Sequence, residues 1–202
     1  MKKHQIELEE GKYYHIFNRG NNSERIFFNE GNYEFFLRRY NEILSSLVET
    51  YAFCLLPNHF HFLVRVKDLP AKALHLKDAK LLTSSPNPSH AFHRLFTSYS
   101  KAINLQQNRH GSLFENPFKR IEITSDEYLK NLVIYIHTNP QLHGFVNNFK
   151  IYKWSSYKDI ISDNPTKQYH PAVLKWFENK ENFEFCHKEK IDIEKIKQLI
   201  FD

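Results

Sequence analysis

The feature that most constrains the fold is a pair of apolar β-type runs separated by only two residues. The runs cover residues 48–56 (VETYAFCLL) and 59–66 (HFHFLVRV), with Pro57-Asn58 between them. Two extended segments joined by so short a connection pair as an antiparallel hairpin. Alternate residues of the second run form a wholly apolar face, which we expect to be buried: Phe60, Phe62, Val64 and Val66.

The opposite face of the same strand carries His59 and His61. Side chains two residues apart in a strand project from the same side, so the two imidazoles lie next to each other. That spacing allows both rings to bind one metal ion. A purely structural interpretation, in which two half-buried histidines bond to neighbouring backbone, remains open at this point.

A second alternative is an RNA-recognition strand, because FHFLV resembles the alternating aromatic residues of that motif. Such a strand would need Phe60 and Phe62 on its open face. The motif also begins with a basic residue and glycine, whereas Pro57-Asn58 precedes the aromatic residues here.

The remaining elements suggest an α+β fold. Strand patterns are found at residues 13–18 and, interrupted by Pro117, at 113–123; helical patterns cover 29–47, 89–108 with Ser89 as cap, and a segment from Ser125 that must end before Pro140. This order predicts a ferredoxin-like antiparallel sheet with helices packed mainly on one face, plus a C-terminal helical tail. We expect a catalytic domain over residues 1–157, an appendage over 158–202, and a long mobile loop at 67–88.

Composition narrows the class of partner. The chain has 202 residues, a net charge of +5, a pI near 9.0 and 12 histidines, which favours an anionic partner. Cys54 and Cys186 are isolated and are interpreted as packing thiols. The charged amino end lacks the pattern of a secretory signal, and the sequence contains no apolar run of membrane-spanning length, so we expect a cytoplasmic protein.

The segment SDEYLKNLVIYIHTNP places two further polar groups on a helix edge. At about 100° per residue, Tyr135 and Asn139 lie about 40° apart beside the apolar stripe. The amide oxygen of Asn139 is an acceptable third ligand for a divalent cation, and the phenol of Tyr135 is a nucleophile. Alternatively, Tyr135 is a boundary aromatic and Asn139 only precedes a proline. Tyr128, about 10 Å earlier along the axis, is interpreted as packing.

Together these pieces resemble the single-tyrosine HUH transposases, and the sequence looks closest to the REP-associated tyrosine transposases. The resemblance rests on His59-Phe60-His61, on Tyr135 and Asn139, and on segments that occur in the family's order: YYHIFNRGNN, YAFCLLPNHFHFLV, YSKAINLQQNRHGSLFENPFKRIEI, YIHTNP, NPQLHGFV and WSSY. It spans about residues 13–157. The segment at 67–88 is longer than usual, and the tail after Tyr157 matches loosely.

This resemblance implies a metal-dependent endonuclease and strand transferase that acts on single-stranded DNA, often next to hairpins. Tyr135 would form a 5′-phosphotyrosine, while His59, His61 and Asn139 would hold Mg²⁺ or Mn²⁺. The family includes monomers and homodimers, and in dimers the tyrosine helix can cross to the partner. Two alternatives stay open: a non-catalytic single-stranded nucleic-acid binding module on an RRM-like fold, and a metal hydrolase that uses water.

Seven basic residues are candidate DNA-phosphate contacts, and together they predict salt-sensitive binding: Arg19, Arg38, Arg39, Arg94, Lys101, Lys119 and Arg120. Each of them can equally be a solvated surface charge. Trp154 and Tyr157 are candidates for base stacking or for anchoring the tail, and we favour anchoring.

Overall fold

The computed structural model describes residues 6–68, 87–162 and 170–188. The strands are β1 (Tyr13–Arg19), β2 (Val48–Leu56), β3 (His59–Val66) and β4 (Lys119–Ile123). The helices are α1 (Glu30–Leu44), α2 (Pro88–Gln106), α3 (Asp126–Leu142), α4 (Tyr157–Ile161), α5 (His170–Trp176) and α6 (Lys180–Lys188). Short 3₁₀ turns cover Asn21–Ser23 and Phe149–Ile151. Most of the loop predicted at 67–88, and the tail beyond 188, lie outside the described residues.

The four strands form one antiparallel sheet in the order β2-β3-β1-β4. The predicted hairpin is present, and Leu56 pairs with His59 across the two-residue turn. The strand β4 pairs only with β1 among the described residues, so it is an edge strand as predicted. Helix α1 connects β1 to β2, and α2 connects β3 to β4. The predicted α+β, ferredoxin-like fold class is therefore confirmed.

Helices α1 and α2 cover one face of the sheet and bury the aromatic side of β3. Phe60 and Phe62 are both 0% exposed. The ring of Tyr40 on α1 stacks on Phe62 at 4.5 Å, and Phe96 on α2 lies 5.4 Å from Phe60, both measured between ring centroids. The RNA-recognition alternative requires these two phenylalanines on an open face, so the structure contradicts it.

The opposite face is also buried, which corrects the prediction that the helices pack mainly on one side and that the histidines lie on an open surface. Helices α3 to α6 contribute to a second core against this face. The reason lies in β2, where Ala52, Cys54 and Leu56 stand beside Leu63, His61 and His59. Because both sides of the hairpin are largely apolar, both must be covered.

Helix α3 continues through Pro140 to Leu142, which corrects the prediction that it must end before the proline. Proline removes one backbone donor and crowds the carbonyl four residues earlier, but here less than one further turn of helix follows. The chain leaves the helix through backbone bonds from His143 N to Asn139 O and from Phe145 N to Pro140 O. The predicted cap Ser125 is confirmed, since its side chain accepts a bond from Tyr128 N.

The cap of α2 is Asn87 rather than the predicted Ser89. The Asn87 side chain accepts hydrogen bonds from the backbone N–H groups of Ser89 and His90, and Pro88 occupies the first helical position. None of the helices in the described residues combines the length and apolar character needed to cross a membrane.

Candidate active site

The two histidines of β3 line a small cavity of about 70 Å³ between the sheet and α3. His59 and His61 are only 8% and 4% exposed. The cavity also has walls from β1, from the start of β4 and from the end of α3. Its lining consists of Phe17, Asn18, Arg19, His59, His61, Lys119, Tyr135 and His143.

His59 is held between two asparagine side chains. Its Nδ1 lies 2.7 Å from Asn58 Oδ1, and its Nε2 lies 3.0 Å from Asn139 Oδ1 on α3. Burial lowers the pKa of His59 to about 4, although the bond to Asn139 opposes that shift. The imidazole is therefore neutral at pH 7. With Nδ1–H donating to Asn58, the lone pair of Nε2 faces Asn139.

His61 has a hydrogen-bond partner at only one of its two ring nitrogens. Its Nδ1 lies 2.9 Å from Nε2 of His15 on β1, while its Nε2 is buried and has no hydrogen-bond partner in the structure. Burial holds the pKa of His61 well below its usual value, with smaller contributions from neighbouring positive groups. Burial also lowers the pKa of His15 to about 3. A neutral His61 has one nitrogen lone pair available for a ligand.

Helix α3 brings Tyr135 to the cavity wall and Asn139 against the ring of His59, because residues four apart share one helix face. The ring of Tyr135 meets His61 edge-on with centroids 5.3 Å apart, and Tyr135 is 4% exposed. Burial raises the pKa of its phenol to about 12, against an opposing bond from Asn139. The phenol is protonated at neutral pH, so its use as a nucleophile requires removal of that proton.

The donor set of His59, His61 and Asn139 fits a divalent cation. His59 Nε2 and Asn139 Oδ1 face each other at 3.0 Å. If both atoms are acceptors, the contact requires a cation or a proton between them, or rotation of the Asn139 amide so that its NH₂ group donates to His59. If a divalent cation binds here, the imidazoles of His59 and His61 and the amide oxygen of Asn139 would hold it. Among the described residues, no cluster of three His, Cys, Asp or Glu could hold a metal, and the third candidate ligand here is an amide.

Comparison with known proteins supports the fold and the sequence resemblance. No protein-family profile matches the sequence. A Haemophilus influenzae protein described as "Putative REP-associated tyrosine transposase" is 27% identical over 120 residues, which span 57% of this chain and 62% of the relative. A solved REP-associated tyrosine transposase bound to a REP hairpin shares the fold, with a TM-score of 0.60 and 13% identity, over 83% of this chain and 94% of that one. The chain is thus similar in sequence to a putative REP-associated tyrosine transposase and in fold to a solved one. The resemblance inferred from the sequence is thus confirmed.

Two of the seven predicted phosphate contacts lie at the cavity. Arg19 and Lys119 both line it, and both approach Glu115, at 3.8 Å and 3.4 Å. Arg19 is positioned by the turn that follows β1. There, a Cβ on Gly20 would lie 2.0 Å from the backbone oxygen of Glu24, so only glycine fits.

The other five predicted basic residues lie elsewhere. Lys101 lines a second cavity of about 310 Å³ that shares Asn18 with the first. Arg120 bonds to Ser89 Oγ, and Arg94 is exposed on α2. Arg38 and Arg39 lie on α1, which covers the other face of the sheet, and both pair with Glu42.

Three aromatic residues for which the sequence allowed more than one role, Tyr128, Tyr157 and Trp154, pack against other side chains. Tyr128 is 9% exposed within the second core, and Tyr157 is 1% exposed, 5.6 Å from the ring of Phe183 on α6. Trp154 stacks on Tyr33 at 4.5 Å. None of these three rings lines the candidate active-site cavity.

Sequence reasoning missed His15, Phe17, Asn18 and His143. The alternation of YYHIFN places His15 and Phe17 on one face of β1, but only the pairing of Phe17 with His61 brings that face to the site. His143 follows the end of α3, and its ring lies 4.9 Å from that of His59. No local pattern in the sequence indicates that contact.

Proposed function

We propose that the protein is a metal-dependent single-stranded DNA endonuclease and strand transferase that forms a 5′-phosphotyrosine intermediate. The observation that carries this proposal is that Tyr135, His59 and His61 line one cavity, while Asn139 on the same helix as Tyr135 contacts the His59 ring. These residues come from a strand and a helix about 75 residues apart in the sequence. If each of these residues served only to pack the core, the four side chains would have no need to lie next to one another.

In the proposed reaction, the phenol oxygen of Tyr135 attacks the scissile phosphorus and the 3′-oxygen leaves. A phosphotyrosine ester forms, one P–O bond to the 3′-oxygen breaks, and the phenol proton is lost. A Mg²⁺ or Mn²⁺ ion held by His59, His61 and Asn139 would withdraw charge from the non-bridging phosphate oxygens. Burial of the phenol, which raises its pKa to about 12, makes that proton loss a substantial part of the barrier.

The covalent intermediate also explains strand transfer without ATP. The phosphodiester energy is kept in the tyrosine ester, so another 3′-hydroxyl can attack it and regenerate Tyr135. Tyr135 is only 4% exposed, so bulk water has little access to the phenol oxygen. That burial favours transfer to a bound 3′-hydroxyl over hydrolysis by bulk water.

We propose hairpin-bearing single-stranded DNA as the substrate. The support is the fold shared with a REP-associated tyrosine transposase that is bound to a REP hairpin. Arg19 and Lys119 at the cavity are placed to contact phosphates next to the cleavage site. Tyr135 lies against His61 of its own chain, so we propose catalysis in cis, in a monomer or in each subunit of a homodimer. Action on DNA places the protein in the cytoplasm.

We also propose that residues 1–157 form the catalytic domain and 158–202 an appendage to it. In the described residues, Val173 on α5, Phe177 just after α5 and Phe183 on α6 belong to the same core as α3. His187 on α6 lies 2.9 Å from His137 on α3, measured between ring nitrogens. The appendage therefore braces the helix that carries Tyr135.

The test is to incubate the protein with end-labelled single-stranded oligonucleotides bearing hairpins, in Mn²⁺, and to separate the products on a denaturing gel. We expect a band of covalent protein–DNA adduct in the native protein. Tyr135→Phe should abolish it, whereas Tyr128→Phe, on the same helix and with a buried hydroxyl that makes no hydrogen bond, should retain it.

Two results would contradict the proposal. Cleavage that persists in Tyr135→Phe without any adduct indicates a metal hydrolase that uses water. Hairpin binding without cleavage by the native protein, across hairpins of varied flanking sequence, indicates a non-catalytic binding module.

A further inference from the structure

The strand β1 places a third histidine behind the histidine pair. His15 is 0% exposed, and its Nε2 lies 2.9 Å from Nδ1 of His61. Its Nε2 faces the Nδ1 of His61 rather than the cavity, so any effect of His15 on the site acts through the ring of His61. We infer that His15 is a positioning residue that fixes the protonation of His61, so that the Nε2 lone pair of His61 points towards the cavity. This inference rests on the proposed role of His61 as a metal ligand.

Two arrangements of the proton between these rings are possible, because one neutral nitrogen must donate and the other accept. If His15 donates, the second proton of the pair sits on His61 Nε2 and blocks metal binding. If His61 donates through Nδ1, its Nε2 keeps a lone pair. Nε2 of His61 and Nδ1 of His15 are both buried without a hydrogen-bond partner, so each arrangement leaves one N–H unpaired. Of the two atoms, only Nε2 of His61 belongs to a residue that lines the cavity, so a ligand there selects the arrangement in which His61 donates through Nδ1. Histidines that bind metals generally donate their other ring N–H to a fixed acceptor.

The acceptor is held rigidly by the sheet. His15 lies on an inner strand, where its backbone pairs with Leu63 on one side and Ile121 on the other. Its ring stacks on Phe17 at 4.4 Å with an interplanar angle of 21°, and on His61 at 5.1 Å. The ring therefore cannot turn away without unpacking Phe17, which itself lines the cavity.

His59 shows the same arrangement with a different acceptor. Its Nδ1 lies 2.7 Å from Asn58 Oδ1, and its Nε2 faces Asn139. Each ring therefore has one partner at its Nδ1: the amide oxygen of Asn58 for His59, and the imidazole of His15 for His61. The amide oxygen can only accept a hydrogen bond. An imidazole nitrogen can donate or accept, so His15 must adopt one particular tautomer to accept the bond from His61.

The direct test is long-range ¹H–¹⁵N NMR of the histidine rings in the metal-free native protein at neutral pH. We expect His61 to show the Nδ1–H tautomer. A proton on His61 Nε2 overturns the inference. This measurement needs neither metal nor DNA, so it stands even if the proposed nuclease activity is absent.

Variants then test the consequence, with Mn²⁺ affinity measured by calorimetry. His15→Phe keeps a packed ring but removes the acceptor, and we expect affinity to fall by about 10- to 100-fold. His15→Gln supplies an amide oxygen and should recover a large part of that loss. Cys54→Ala is the matched control, because Cys54 is buried and pairs with His61 across the hairpin without bonding to its ring.

We expect Cys54→Ala to bind Mn²⁺ as the native protein does. Native affinity in His15→Phe, or an equal loss in His15→Phe and His15→Gln at unchanged melting temperature, overturns the inference. If the native protein binds no Mn²⁺ at all, the proposed metal site fails, and the tautomer of His61 still decides the role of His15.

Discussion

His59 Nε2 and Asn139 Oδ1, which are 80 residues apart in the chain, lie 3.0 Å from each other. One atom belongs to a strand of the central sheet and the other to the last turns of α3. The contact joins α3 to β3 directly beside the cavity. The contact therefore sets the position of Tyr135, one helical turn before Asn139, relative to the histidine pair.

The first prediction concerns this contact. Asn139→Ala removes the amide ligand, and we expect the affinity for Mn²⁺ to fall at least about tenfold, since two imidazoles alone remain. Calorimetric titration with Mn²⁺ measures the change. The matched control is Thr138→Ala, because the Thr138 hydroxyl bonds only to backbone carbonyls of its own helix. An Asn139→Ala protein that binds Mn²⁺ as tightly as the native chain would remove the amide from the ligand set.

The second prediction separates the basic residues at the cavity from the rest. Lys119→Ala should weaken binding of single-stranded DNA and lower the slope of log K against log salt by about 1, because one phosphate contact is lost. Fluorescence anisotropy at several salt concentrations measures both quantities. Arg38→Ala, on the helix that covers the opposite face, should leave the slope unchanged. Equal effects of the two substitutions would mean that binding depends on net charge alone.

The fold was largely predictable because its determinants are local. Alternation in residues 59–66 assigns faces, the two-residue connection forces the hairpin, and the spacing of Tyr135 and Asn139 places both on one side of α3. Each of these signals operates within about ten residues. They were sufficient to group His59 with His61, and Tyr135 with Asn139.

The rest depends on contacts that short patterns do not encode. The pairing of Phe17 with His61 depends on the register between two strands that are not adjacent in sequence, and it is what brings His15 behind the site. The burial of the histidines depends on α3 and the tail helices covering a face that was expected to be open. The sequence predicts that α3 ends before Pro140, but a proline so close to the end of a helix removes few backbone hydrogen bonds, so the helix continues to Leu142.

The third prediction concerns the tail helix α6. Phe183 is 0% exposed and packs on Tyr157 and His187, so Phe183→Ala should lower the free energy of unfolding by about 3 to 5 kcal/mol. Urea denaturation measures this loss. Phe185, two residues later, is 57% exposed, and Phe185→Ala should change stability by less than about 0.5 kcal/mol. Similar values for the two variants would show that α6 does not pack on the core in solution.

The last prediction concerns the pH dependence of stability. Burial lowers the pKa of His187 from 6.5 to about 4, although its bond to the Phe183 carbonyl opposes that shift. The unfolded chain takes up a proton at this residue near pH 6.5, whereas the folded chain does not. Stability from His187 is therefore complete above about pH 6.5 and is lost as pH falls towards 4. A difference of about 2.5 between the pKa values corresponds to on the order of 3 kcal/mol.

The groups that face His187 come from several elements and are mainly uncharged. They are His137 on α3, Phe149, Tyr157, Phe177 and Phe183, with the charge of Lys150 nearby. His187→Phe removes the titrating group, so we expect its free energy of unfolding to fall less steeply between pH 6.5 and 4 than that of the native protein. Urea denaturation at several pH values measures the two slopes, and His110→Gln, at an exposed loop position, should keep the native slope. If His187→Phe also keeps the native slope, His187 is already protonated in the fold, and the acid sensitivity must come from the histidines around the cavity.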